Sequence, residues 1–127
     1  ARALAASDAG ALAYAASALA GADMGVAAIA CYTRSGRTAR ILSALRPRVP
    51  IFAYSPDPVV VARLGLVHGV IARTCVPPSD TAARLGLMAW LLSESHDLPP
   101  GSAVALVAST AEAGSGPNLL EVHRLPG

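Results

Sequence analysis

Apolar residues in this chain alternate between two repeat lengths, and the alternation spells out a succession of helices and strands. Ser7 to Ala22, rich in Ala and Leu, predicts a helix that opens at Ser7 or Asp8 and stops at Gly21. Val26-Ala27-Ala28-Ile29-Ala30-Cys31-Tyr32 is an unbroken apolar run between Gly25 and a polar loop, the pattern of a central strand buried on both faces. Gly36 to Leu45 puts Ile41, Leu42 and Leu45 on one helical face, with Pro47 beyond its end. Pro50 to Tyr54 predicts the second strand. A helix follows Ser55-Pro56-Asp57-Pro58, where Pro58 suits the first turn, and it carries Val61, Leu64 and Gly65. Val67 to Arg73 predicts the third strand. Ser79 or Asp80 caps the longest helix, which runs through Leu85, Met88, Leu91 and Leu92 to near His96, and Pro99-Pro100-Gly101 turns the chain out of it. Ala103 to Ala108 predicts strand four, and Leu119 to Leu125 alternates apolar and polar residues as an edge strand does.

Right-handed crossovers turn the first four strands into a parallel sheet, and the last pair is expected to be antiparallel. The fold class that follows is α/β: a three-layer open sheet of about five strands, mostly parallel, with an antiparallel final edge strand and helices on both faces. At 127 residues the chain is expected to be one domain over 1–127, with Pro77-Pro78 a loop rather than a boundary.

Composition narrows the function. Apolar residues make up 54% and aromatics 4%, so the core is expected to be built from Ala, Val, Leu and Ile. All ten basic residues are Arg, scattered between Arg2 and Arg124, and the net charge is only +2, which disfavours broad nucleic-acid binding. The Ala-rich stretch from Ala9 to Ala30 is weakly apolar and interrupted by Asp23, so no membrane span is expected. No secretory leader pattern opens the chain and no Met initiates it, so it reads as an excised segment of a cytoplasmic protein. Cys31 and Cys75, far apart in apolar stretches, fit reduced, buried structural thiols. His68, His96 and His123 lack metal-ligand spacing and read as surface or capping residues. Trp90 reads as core or as a subunit contact.

Open parallel sheets bind ligands beyond the carboxyl ends of their strands, where the strand order reverses. After the first strand the chain reads Thr33-Arg34-Ser35-Gly36-Arg37-Thr38. It offers three hydroxyls, two guanidinium groups, a Gly that permits close backbone approach, and a helix beginning directly afterwards, all of which suit a phosphate. A Ser/Thr-rich turn also caps helices with no ligand, and that reading stays open. The second informative loop spans Ser109 to Asn118 and is too long and Gly-rich for a tight hairpin. If strand four lies beside strand one, this loop stands over the same crevice; the alternative is a flexible linker.

Tyr32-Thr33-Arg34-Ser35-Gly36-Arg37-Thr38-Ala39-Arg40, followed by Arg46-Pro47-Arg48-Val49-Pro50-Ile51-Phe52-Ala53, resembles the C-terminal domain of the pyruvate kinases. That family places a Thr-x-Ser-Gly-x-Ser/Thr-Ala loop after its first strand and Arg-Pro-x-x-Pro-Ile before the next. Gly114-Ser115-Gly116-Pro117-Asn118-Leu119-Leu120-Glu121-Val122 is similar to its Gly-rich loop and final strand. The resemblance implies a regulatory and tetramer-forming domain in which Thr33, Arg34, Ser35, Gly36, Arg37 and Thr38 hold an effector phosphate while Gly114, Ser115 and Gly116 close over the effector. Family members that take fructose 1,6-bisphosphate use a Trp and an Arg from later segments. The late loop here offers Glu112 and no Arg, so a sugar monophosphate or AMP is expected over a bisphosphate.

The resemblance further implies a parent enzyme that transfers phosphoryl from phosphoenolpyruvate to ADP with magnesium and potassium, in a barrel domain outside this segment. A chain without Lys cannot supply that chemistry's catalytic lysine, and no catalytic residue or cofactor is expected in the segment itself. Three readings stand: an effector-binding regulator, an assembly module of the same fold that binds no ligand, and a stand-alone small enzyme acting on a phosphorylated substrate. The third needs a general base that the sequence does not reveal.

Overall fold

Seven residues without a charge can be placed only where both faces of a strand are covered, and Val26–Tyr32 forms β1 at the middle of the sheet. The computed structural model describes residues 8–21, 25–77, 81–108 and 119–126. Around β1 the elements run α1 (Asp8–Gly21), α2 (Arg37–Ala44), β2 (Ile51–Ser55), α3 (Pro58–Leu64), β3 (Val70–Thr74), α4 (Thr81–Ser95), β4 (Ala103–Ala108) and β5 (Leu119–Arg124). The sheet order is β3-β2-β1-β4-β5. β1 pairs in parallel with β2 and β4, β2 with β3, and β5 runs antiparallel to β4 with Ala105 opposite Val122.

Alternation along each strand divides the core in two. Ile29 and Cys31 of β1, Ile51 and Ala53 of β2, and Ala105 and Val107 of β4 face one side, where Ala16 of α1, Ala39 and Leu42 of α2, and Val60 and Leu64 of α3 pack on them. Ala28, Ala30, Tyr32, Phe52, Tyr54, Val104 and Leu106 face the other side, against Met88 and Leu92 of α4. Three helices thus cover one face and one covers the other. Tyr54 and Phe52 are the largest fully buried side chains, so rings join the Ala, Val, Leu and Ile that composition led one to expect in the core, and losing a contributor such as the fully buried Leu42 to Ala would cost about 2–5 kcal/mol.

Local chemistry sets the element ends. Asp57 caps α3, its Oδ1 accepting the Val59 N–H at 2.9 Å, with Pro58 in the first turn. β3 starts at Val70 rather than Val67, because Val67 to Gly69 form a turn. Gly69 there holds φ +72°, and its carbonyl accepts the Ile51 N–H at 2.9 Å. The Ser43 hydroxyl secures that turn from α2 by donating to the His68 carbonyl at 2.6 Å. The proposed cap of α4 at Ser79 or Asp80 lies outside the described residues.

Two sequence expectations need correction. Trp90, read as core or as a subunit contact, is 58% exposed and so not core, because it lies about 200° around the helix from the fully buried Met88. Cys75 follows the end of β3 and is only half-buried, whereas Cys31 is fully buried as expected; both are free thiols. Burial pushes the Cys31 thiol up to about 12.

Candidate functional site

β1 lies between β2 and β4, so the chain's crossovers leave it in opposite directions and the strand order reverses here. Cys31 is in register with Val107, so the segments leaving β1 and β4 begin side by side at the carboxyl edge of the sheet. The condition under which residues 109–118 leave from beside the loop is met. Gly114, Ser115 and Gly116, with Glu112, lie outside the described residues.

The loop from Thr33 to Thr38 is held by its own backbone. The Thr33 N–H donates to the Tyr54 carbonyl at 2.9 Å, continuing the β1–β2 pairing one residue past the strand. The buried Thr33 hydroxyl accepts the Gly36 N–H at 2.9 Å and closes the turn. Gly36 then caps α2 in the left-handed region, φ 89° and ψ −3°. The Ser35 hydroxyl accepts the Arg37 N–H at 3.3 Å, and the Arg40 N–H donates to the Gly36 carbonyl at 3.1 Å.

The six expected residues therefore divide. Thr33, Gly36 and Thr38 are buried, and Thr33 and Gly36 shape the turn, while Arg34, Ser35 and Arg37 are exposed. Sequence reasoning assigned Gly36 to close approach of a ligand, but the geometry supplies a different need. A Cβ there would meet Leu64 Cδ2 at 3.2 Å and Val60 Cγ1 at 3.4 Å, on a backbone that L-residues avoid. Gly36 lets α2 start against α3, and its N–H is already taken by Thr33.

The electrostatics suit an anion. Gly36 supplies no side-chain cap to α2, and the first turn carries no acid. The partial positive charge at such a helix end favours a nearby anion by roughly 0.3–1 kcal/mol. Sequence reasoning missed Arg40, which is exposed and three residues after Arg37, on the same side of α2. It also missed Arg84. That side chain is 8% exposed on α4, with its guanidinium carbon 5.2 Å from the centroid of the Tyr32 ring on the far face of the sheet. The available signal was position: Arg84 precedes the buried Met88 and Leu92 by four and eight residues, on the helical stripe that faces the core.

Among the described residues, no group of three or more His, Cys, Asp or Glu side chains could hold a metal. They do not fit a magnesium site of that kind. Among them, too, no helix is long and apolar enough to cross a membrane.

The fold and this loop define a doubly wound α/β domain whose switch point carries an arginine-rich helix start. Its kinship is specific. The family model described as pyruvate kinase, alpha/beta domain, matches residues 10–123, and the chain belongs to that family. It is 32% identical over 93 residues to pyruvate kinase 2 of Synechocystis, covering 73% of this chain and 16% of that protein. It is 32% identical over 103 residues to a pyruvate kinase of Geobacillus stearothermophilus, covering 80% of this chain and 17% of that protein. A pyruvate kinase of Corynebacterium glutamicum is 27% identical over 99 residues, 77% of this chain and 21% of its own length. The chain thus spans well under a quarter of each of these relatives.

Proposed function

We propose that this domain binds the phosphate of a small-molecule effector at residues 33–38 and regulates a pyruvate kinase of which it forms the C-terminal part. The observation that carries the reading is the start of α2: an N-cap, Gly36, with no side chain of its own, no acid in the first turn, and Arg34, Ser35, Arg37 and Arg40 exposed around it, the Ser35 hydroxyl accepting the Arg37 N–H. Arg34 and Arg37 supply bidentate donors for phosphate oxygens, and Ser35 supplies a hydroxyl. Thr33 and Gly36 hold the loop in shape, and the buried Thr38 sits in the first turn of the helix beside the phosphate. The effector class is a sugar monophosphate or AMP, with Gly114, Ser115 and Gly116 closing over it.

In the longer protein, phosphoryl transfer from phosphoenolpyruvate to ADP, and the magnesium and potassium it uses, belong to residues outside this segment. The described residues offer no acidic cluster for a metal and the chain has no Lys. A cytoplasmic location follows from the same role. The reading is tested by calorimetric titration of fructose 1,6-bisphosphate, glucose 6-phosphate, ribose 5-phosphate and AMP into the wild type and an Arg34→Ala, Ser35→Ala double variant. Binding of a monophosphate that the double variant loses supports it. If no phosphorylated ligand binds the folded wild type, the effector reading fails and the assembly reading takes its place.

One observation favours a role in assembly alongside regulation. β5 ends the sheet, and Val122 on it and Tyr14 on α1 are 49% and 52% exposed. An open strand edge beside apolar side chains suits pairing with a second copy. Self-association, as a homotetramer in the longer protein, is measured by light scattering of the wild type and a Val122→Glu variant. The variant should be the smaller species.

A further inference from the structure

Directly before the loop, on the opposite face of the sheet from α2, one aromatic ring is clamped by one arginine. Tyr32 ends β1 and is 6% exposed, and Arg84 of α4 lies over its ring at 5.2 Å. Arg84 is followed along the same stripe of α4 by the fully buried Met88 and Leu92, so its backbone is fixed by the core. The Tyr32 hydroxyl is buried and makes no hydrogen bond. What holds this side chain is therefore its ring, through packing and the guanidinium above it. A desolvated cation over an aromatic face is among the stronger of such contacts.

The consequence lies one residue on. Thr33 receives the Gly36 N–H on its hydroxyl, and Gly36 starts α2. Displacement of Tyr32 would carry Thr33 with it and release the Gly36 turn, although Arg84 lies on the other side of the sheet. We infer that Arg84 is a positioning residue for the 33–38 loop: its stack on Tyr32 holds the end of β1, and through Thr33 the Gly36 turn, in the arrangement that presents Arg34 and Ser35. The inference concerns the order of the loop; only its ligand arm rests on the phosphate reading above.

The experiment uses the wild type with Arg84→Met, Tyr32→Leu and Tyr32→Phe, and reads amide hydrogen exchange by NMR without ligand. Arg84→Met keeps the apolar stem and removes the charge, while Tyr32→Phe keeps the ring and removes only the unbonded hydroxyl. Exchange at Gly36 should quicken about tenfold in Arg84→Met and Tyr32→Leu relative to Ile51, which reports the sheet, and stay within about twofold in Tyr32→Phe. Rescue by Phe is a result that a general packing role for the residue's polar end would not give. Inorganic phosphate, titrated into the same four proteins, should bind more weakly in the two variants whose loop opens. The inference is overturned if Gly36 and Ile51 quicken together in Arg84→Met, which is ordinary loss of stability. It is also overturned if Arg84→Met weakens phosphate binding with no change at Gly36, which would place Arg84 on the ligand itself. A wild type that takes no phosphate refutes the phosphate reading, and the exchange comparison alone then decides for or against the stack.

Discussion

Replacing Gly36 with Ala separates a glycine that shapes the loop from one that merely makes room for a ligand. The residue holds φ 89°, and placing an L-residue in the left-handed region costs about 1–2 kcal/mol. The new methyl would sit 3.2 Å from Leu64 Cδ2 and 3.4 Å from Val60 Cγ1, inside the ~3.5–4.0 Å of a comfortable carbon contact. Leu64 is fully buried and Val60 nearly so, and neither can withdraw without disturbing the packing of α3 on the sheet. Overpacking of this kind typically costs about 1–3 kcal/mol. The stiffer unfolded chain of the Ala variant returns about 0.4–1 kcal/mol. The net expectation is a loss of roughly 1–4.5 kcal/mol, measured by urea denaturation with the m-value unchanged. A midpoint equal to the wild type's, together with weaker phosphate binding, would refute this reasoning and return Gly36 to the role of a ligand approach.

Gly86 gives the opposite sign, since it is exposed in α4 and an added Cβ meets nothing within 4 Å; Gly86→Ala should stabilise by about 0.5–1 kcal/mol, read as a higher urea midpoint. Thiol titration of the native protein with an aromatic disulfide should label Cys75 well before Cys31, because burial pushes the Cys31 thiol up to about 12 and leaves almost no thiolate at pH 8; equal rates would contradict its burial. Asp97 is held well below the ordinary carboxylate range, to about 2, chiefly by its hydrogen bond from Arg73. A lowered carboxyl stabilises the fold above its unfolded value and loses that contribution as pH falls from about 4 toward 2. The pair is exposed, so solvent screening holds the effect below about 1 kcal/mol, and Asp97→Asn should flatten the acid limb of the stability curve.

The sequence disclosed most where burial left few choices. β1 has the bounds read from its uncharged run, because only the sheet centre covers both faces of such a segment. The parallel order and the antiparallel β5 followed from alternation and handedness. The start of β3 did not, because it depends on the Ser43 hydroxyl reaching the His68 carbonyl, a contact between residues 25 apart in sequence. Of the two roles read for Trp90, core or subunit contact, only the core one is excluded, because its position on the helix could not be ranked against Met88 and Leu91 from the apolar pattern alone. The loop from Thr33 to Thr38 stood out in the sequence by its hydroxyls and arginines, but which of its residues are buried and which exposed did not. That division rests on the Thr33–Gly36 hydrogen bond and on the nearness of α3, neither of which is written in local pattern. Arg84 was overlooked because a charge on an apolar stripe discloses its position and not its partner.

The central claim, that an anion sits at the start of α2, is tested most directly by titrating ribose 5-phosphate into isotope-labelled protein and following its backbone amides. The expected result is saturable shifts concentrated at residues 34–39, with the amides around His96 and Gly101 at the opposite edge of the sheet unmoved. No saturable shift, or shifts centred anywhere other than the 33–38 loop, would contradict it.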